Sequence, residues 1–112
     1  RTVICSTLGN QRFLDADFFE FNGVKGEKVT VALAANPAGT FTPGKAALTL
    51  AGIGLLRLDA TDLPNTITAT LPRTGKNFVT VAELLLKTGK FEGDYCVSVE
   101  STQNAWQTFH RM

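Results

Sequence analysis

The 112-residue sequence predicts an all-β protein, an antiparallel β-sandwich of seven or eight short strands. Three observations carry this expectation. Apolar and polar residues alternate in run after run, most cleanly in Thr66-Ile67-Thr68-Ala69-Thr70-Leu71. The runs are set apart by Gly, Pro and Asn turn chemistry. No stretch joins helical periodicity to the length of an ordinary helix.

The first strand is read at residues 2–8 and is closed by the turn pair Gly9-Asn10. Arg12-Phe13-Leu14 leads into Asp15-Ala16-Asp17-Phe18-Phe19-Glu20-Phe21, the densest aromatic run of the chain. Phe19 and Phe21 share a face by period-2 alternation, with Glu20 opposite. Phe18 breaks that alternation and is expected at an edge or in a second cluster. Asn22-Gly23 and Gly26 supply backbone freedom for a reversal, and Val29, Val31 and Leu33 then point to the core. The acidic residues of this stretch are expected as solvated strand edges.

Residues 36–45 hold two prolines, two glycines and two threonines around Phe41, a surface loop. Alternation resumes with Leu48 and Leu50 inward, Gly52-Ile53-Gly54 makes a bend, and Leu55-Leu56-Arg57-Leu58 is a further strand. The turn-rich segment Asp59-Ala60-Thr61-Asp62-Leu63-Pro64-Asn65 precedes the threonine strand. Beyond the turn Pro72-Arg73-Thr74-Gly75, Val79 and Val81 alternate against Phe78 and Thr80. Glu83-Leu84-Leu85-Leu86-Lys87 is composed of good helix formers but is too short, and reads as a strand end passing into a loop. Tyr95, Val97 and Val99 complete the core, and the tail with Trp106 and Phe109 has no clear period.

Hydrophobic content of 44% with 19% charged residues is that of a folded domain, which excludes disorder. The length suits one domain over residues 1–112, with its core at about 13–101. A start at Arg1 reads as a piece excised from a longer chain. A net charge of +1 with scattered basic residues speaks against nucleic acid. No apolar run approaches the roughly 20 residues of a membrane-spanning helix, so membrane insertion is not expected.

Few residues offer chemistry. The single histidine, His110, stands two residues from the end, where termini fray, and Ser6, Ser98 and Ser101 are not in nucleophile settings. No catalytic residue is therefore assigned, and a small hydrolase is the most distant reading. Hard-oxygen groups in two places, Asp15 with Asp17 and Asp59 with Asp62 and Asn65, could hold calcium as a structural staple, although turn chemistry explains the second equally well. No other cofactor is expected. Of the aromatic residues that could stack on a ligand (Phe18, Phe41, Tyr95 and Trp106), Phe41 and Trp106 are the better surface candidates, because Tyr95 falls on the inward parity.

Cys5 and Cys96 lack the spacing of a zinc or redox motif. Strand parity points both outward, on the first and last core strands. They are bridged if those strands are neighbours, which would suit an oxidising compartment, and are otherwise two unrelated thiols.

Asp17-Phe18-Phe19-Glu20-Phe21, Gly26-Glu27-Lys28-Val29-Thr30-Val31-Ala32-Leu33, Thr74-Gly75 before Phe78-Val79-Thr80-Val81, and Gly93-Asp94-Tyr95-Cys96-Val97-Ser98-Val99 together resemble the bacterial pre-peptidase C-terminal domain over roughly residues 13–101. The resemblance implies a sandwich of jelly-roll type and a non-catalytic accessory role in secreted or cell-envelope proteins. It implies as partner an extracellular polysaccharide or protein, or assistance in export of the parent. Packing of a purely structural module against its own parent domain is the alternative. The sequence departs from collagen-binding relatives in having one tyrosine, and from calcium-holding relatives in having no acidic residue before Asp15.

Overall fold

The computed structural model describes residues 1–9, 15–42, 46–83 and 92–112. The lead-in at 12–14, the loop residues 43–45 and the leucine run 84–87 lie outside the described residues. Ten strands are described: β1 (Thr2–Leu8), β2 (Ala16–Gly23), β3 (Lys28–Ala35), β4 (Phe41–Thr42), β5 (Ala46–Gly52), β6 (Leu55–Asp59), β7 (Asn65–Thr70), β8 (Gly75–Glu83), β9 (Glu92–Ser101) and β10 (His110–Arg111). Eight have ordinary length, and β4 and β10 are two-residue additions.

One sheet has the order β1-β9-β3-β7, with β4 also pairing to β9; the other is β10-β2-β8-β5-β6. All pairings are antiparallel. Setting β4 and β10 aside, successive strands alternate between the sheets except for the β5–β6 hairpin. That order gives a jelly roll, the sandwich type built of two Greek keys.

The alternation read in the sequence explains why these strands lie face to face. Phe19, Phe21, Leu48, Leu50, Val79 and Val81 of one sheet and Val29, Val31, Leu33, Tyr95, Val97 and Val99 of the other are all buried and form one core. At about 1.5–3 kcal/mol for each large apolar side chain removed from water, this double row is the main favourable term in folding. Phe109 joins it from the tail, with its ring centroid 5.5 Å from that of Phe19.

The reversal between β2 and β3 uses Gly26 alone as its permissive residue. Gly26 has φ of 88° in a turn closed by the Glu27 N–H donating to Val24 O at 2.9 Å, and only glycine adopts that conformation without strain. Gly23 instead ends β2, where it makes room for a neighbour: a Cβ there would lie 2.2 Å from Leu71 Cδ1.

The tail differs from the expected fraying end. Residues Ala105–Thr108 form a single 3₁₀ turn, and His110–Arg111 pair with Phe19 and Glu20 of β2. The Met112 N–H donates to Phe18 O at 3.0 Å, and Thr108 Oγ1 accepts from the Asn22 N–H at 2.7 Å. Tail residues therefore have a defined place as an edge strand.

Candidate binding face

Each sheet has an outer face set by the strand parity that leaves the core. On the β10-β2-β8-β5-β6 sheet this parity exposes Phe18 of β2 and Phe78 of β8, 53% and 39% accessible. Phe18 stands opposite Thr80, and Phe78 opposite Glu20, so the two rings are diagonal neighbours on central strands. Phe18 thus lies on the solvent face, and Asp17, not Phe18, occupies the inward position. Across β5 the surface continues through Ala51 and Thr49 to Leu56 and Leu58 of β6.

A polar cluster borders the rings. Glu20 Oε1 lies 2.9 Å from His110 Nε2, Glu20 Oε2 lies 3.7 Å from Lys76 Nζ, and His110 Nδ1 faces Thr108 O at 2.7 Å. Planar apolar faces beside donors and acceptors suit an amphipathic ligand laid flat on the sheet. The outer face of the other sheet is of different character, with Thr66, Thr68 and Thr70 in a row and the Thr30 and Thr68 hydroxyls 3.2 Å apart.

The two ligand candidates from the sequence do not join this face. Phe41 belongs to β4, paired with Gly93 of the opposite sheet. Trp106 sits in the 3₁₀ turn, half-buried against the core, its indole N–H donating to Gln103 O at 3.1 Å and its carbonyl accepting from Thr2 Oγ1 at 2.5 Å. Its position is that of an anchor for the tail.

Asp59 and Asn65 are tied by hydrogen bonds across a segment that holds Asp62 and the cis Leu63–Pro64 peptide. Asp59 accepts from the Thr61 N–H and hydroxyl and from the Thr66 N–H; the Thr66 and Thr61 bonds hold its carboxyl below the usual carboxylate range. Asn65 is buried, its amide donating to Ala46 O and Asp59 O while its carbonyl accepts from Thr61. A calcium ion would have to displace these donors, and Asp62 is exposed, so the arrangement does not fit a calcium cage. Asp15 and Asp17 do not provide one either, because Asp17 points into the core and is committed to other partners. Among the described residues no three His, Cys, Asp or Glu side chains are placed to share a metal.

Cys5 and Cys96 stand opposite each other on β1 and β9 and form a disulfide, with Cα atoms 4.0 Å apart. The parity that turned both side chains outward, together with pairing of β1 and β9, accounts for the bridge.

The expectation of solvated acidic edges is overturned at two positions of the aromatic hairpin. Asp17 is 4% accessible and accepts from the Tyr95 hydroxyl at 2.5 Å and from Arg111 Nη2 at 2.6 Å. Arg111 Nη1 donates in turn to Ser6 Oγ at 2.5 Å. Burial pushes the Tyr95 phenol well above its ordinary range, and the Asp17 hydrogen bond and charge push it further, so the hydroxyl stays protonated as donor. Glu27 is fully buried, accepting from the Ala105 N–H at 2.7 Å and from the Val24 N–H at 3.1 Å. Burial alone would raise its pKa, but the hydrogen bonds from the Ala105 and Val24 N–H groups oppose that, and it is left lowered.

Sequence reasoning named Phe18 among several aromatics but did not single out Phe78, although its parity opposite Val79 was the available signal. Arg111 was missed because nothing in its sequence neighbourhood showed that the tail returns to β2. No protein family model, curated protein or solved structure matches this chain.

Proposed function

We propose that the chain is a non-catalytic accessory domain of an exported bacterial protein, binding an extracellular polymer, polysaccharide or protein, through the outer face of the β10-β2-β8-β5-β6 sheet. The observation that carries this reading is the pair of exposed rings, Phe18 and Phe78, on adjacent central strands beside the Glu20–His110–Lys76 cluster. Two rings on a rigid sheet lose little entropy when they engage a repeating ligand. The Cys5–Cys96 disulfide supports an oxidising compartment, secreted or cell-envelope. The resemblance to pre-peptidase C-terminal domains points in the same direction. A non-catalytic role is supported by His110, whose ring nitrogens face Thr108 and Glu20, leaving neither for a nucleophile.

The alternative, a structural module packed on its parent domain, is favoured by one observation. Leu56 and Leu58 share the surface and Ile53 stands in the adjoining turn, 68%, 64% and 70% accessible, and aliphatic side chains suit a protein surface better than a sugar ring. Pull-down of the folded chain on cellulose, chitin and fibrillar collagen separates the readings. Retention on at least one supports polymer binding; passage through all three overturns it and favours the structural module.

A further inference from the structure

We propose that the edge of β6 that pairs with no strand among the described residues pairs with β6 of a second copy of this chain, giving a two-fold dimer in which the β10-β2-β8-β5-β6 sheets of both copies become continuous. The inference rests on backbone direction and charge in β6 and stands independently of polymer binding.

Among the described residues β6 is the last strand of its sheet. It is joined to β5 by a two-residue turn, Ile53-Gly54, that closes on the facing pair Gly52 and Leu55. In a hairpin of this length the closing pair is hydrogen-bonded, and along an antiparallel ladder bonded and non-bonded pairs alternate. Leu50–Arg57 and Leu48–Asp59 are then bonded pairs, whereas Ala51–Leu56 and Thr49–Leu58 are not. The N–H and C=O groups of Leu56 and Leu58 accordingly point away from β5, to the open edge. The Arg57 guanidinium agrees with this direction, since its Nη1 folds back to donate to the Leu56 carbonyl at 3.1 Å.

Leu55-Leu56-Arg57-Leu58-Asp59 has no proline and no lysine, and its two charges, Arg57 and Asp59, lie on the core-facing parity of the edge, where they hinder pairing with any strand that does not match them. Its charges select a copy of itself. With the two-fold axis at Leu58, Leu58 faces Leu58 of the second copy as a hydrogen-bonded pair, and Arg57 of each strand faces Asp59 of the other. That register sets two opposite-charge positions across from each other, with each Asp59 carboxylate keeping its hydrogen bonds from Thr61 and Thr66, and brings the leucines together on the outer face. Moving the axis to Arg57 would set like charges directly opposite, which is unfavourable. An axis perpendicular to the sheet leaves both Phe18–Phe78 faces on one side, so the dimer presents two platforms to one ligand.

Such a short edge buries less than the roughly 1,200 Å² of a stable interface, so association is expected at micromolar to millimolar concentration. Sedimentation velocity of the chain from about 10 µM to about 1 mM tests it. The expected result is a concentration-dependent monomer–dimer equilibrium that weakens with salt. Arg57→Glu, which sets an acid against Asp59 on an exposed side chain, should weaken it at least about tenfold. Leu58→Pro should abolish it without opening the hairpin, because the N–H it removes is not used by β5. A wild-type chain monomeric throughout, or a dimer unchanged by both substitutions, overturns the proposal. Polymer retention by monomeric Arg57→Glu keeps the two proposals separately testable.

Discussion

Tyr95 and Asp17 occupy inward positions on opposite sheets, where the core would otherwise be apolar, and their contact ties the two layers together. Arg111 completes the group from the tail. A hydrogen bond to a charged acceptor contributes about 1.5–3 kcal/mol. Tyr95→Phe should therefore lower unfolding free energy in urea by about that amount while keeping the fold, and a loss below about 0.5 kcal/mol would show the contact to be incidental. Glu27 gives a prediction in pH. Its native pKa lies below the ordinary value of 4.5, so its stabilising effect is complete above that value and is lost as pH falls through the native one. Acid unfolding of Glu27→Gln should accordingly be shallower in that window than that of the native chain; identical acid limbs would contradict the assignment. Neither acid was legible in the sequence as a buried group. Asp17 follows the inward parity of β2, and Glu27, one residue before β3, continues the parity of Val29 and Val31, but an acid at such a position reads as an edge until its distant partners, Tyr95 and Ala105, are brought to it by the fold.

At the scale of elements, alternation was sufficient to place the inward faces of β2, β3, β5, β7, β8 and β9, because a half-buried strand must alternate. It could not place the tail. The 3₁₀ turn and β10 are held by contacts to Glu27, Asn22 and β2, which are remote in sequence and leave no local period. Replacing His110 by Ala should speed hydrogen exchange of the Met112 amide, which donates to Phe18 O, and unchanged exchange would show that the side chain does not fix the strand. The disulfide joins β1 to β9 across a sequence separation of 91. A crosslink closing a loop of this size limits the unfolded chain by about 4–5 kcal/mol in the entropy model. Cys5→Ala with Cys96→Ala should shift the urea midpoint downward by a corresponding share of total stability, and an unshifted midpoint would contradict that contribution.

On the scale of the whole molecule, the jelly roll buries one face of each sheet and leaves two outer faces of unlike chemistry. One has threonine rows on β7; the other carries Phe18, Phe78, Leu56 and Leu58. The sandwich was readable from strand number and turn spacing. The candidate site was only partly so, because which aromatics share a surface depends on the β2–β8 register, and Phe41 and Trp106 proved to lie elsewhere. The proposed role as a polymer-binding accessory domain therefore depends on one face. The most direct test compares the double variant Phe18→Ala/Phe78→Ala with Thr30→Ala/Thr68→Ala, which alters the opposite outer face, for retention on cellulose, chitin and fibrillar collagen. The account predicts that the phenylalanine variant loses at least about tenfold in affinity for the polymer that retains the native chain, while the threonine variant is retained as before. Equal retention of both variants, or loss confined to the threonine variant, would contradict it.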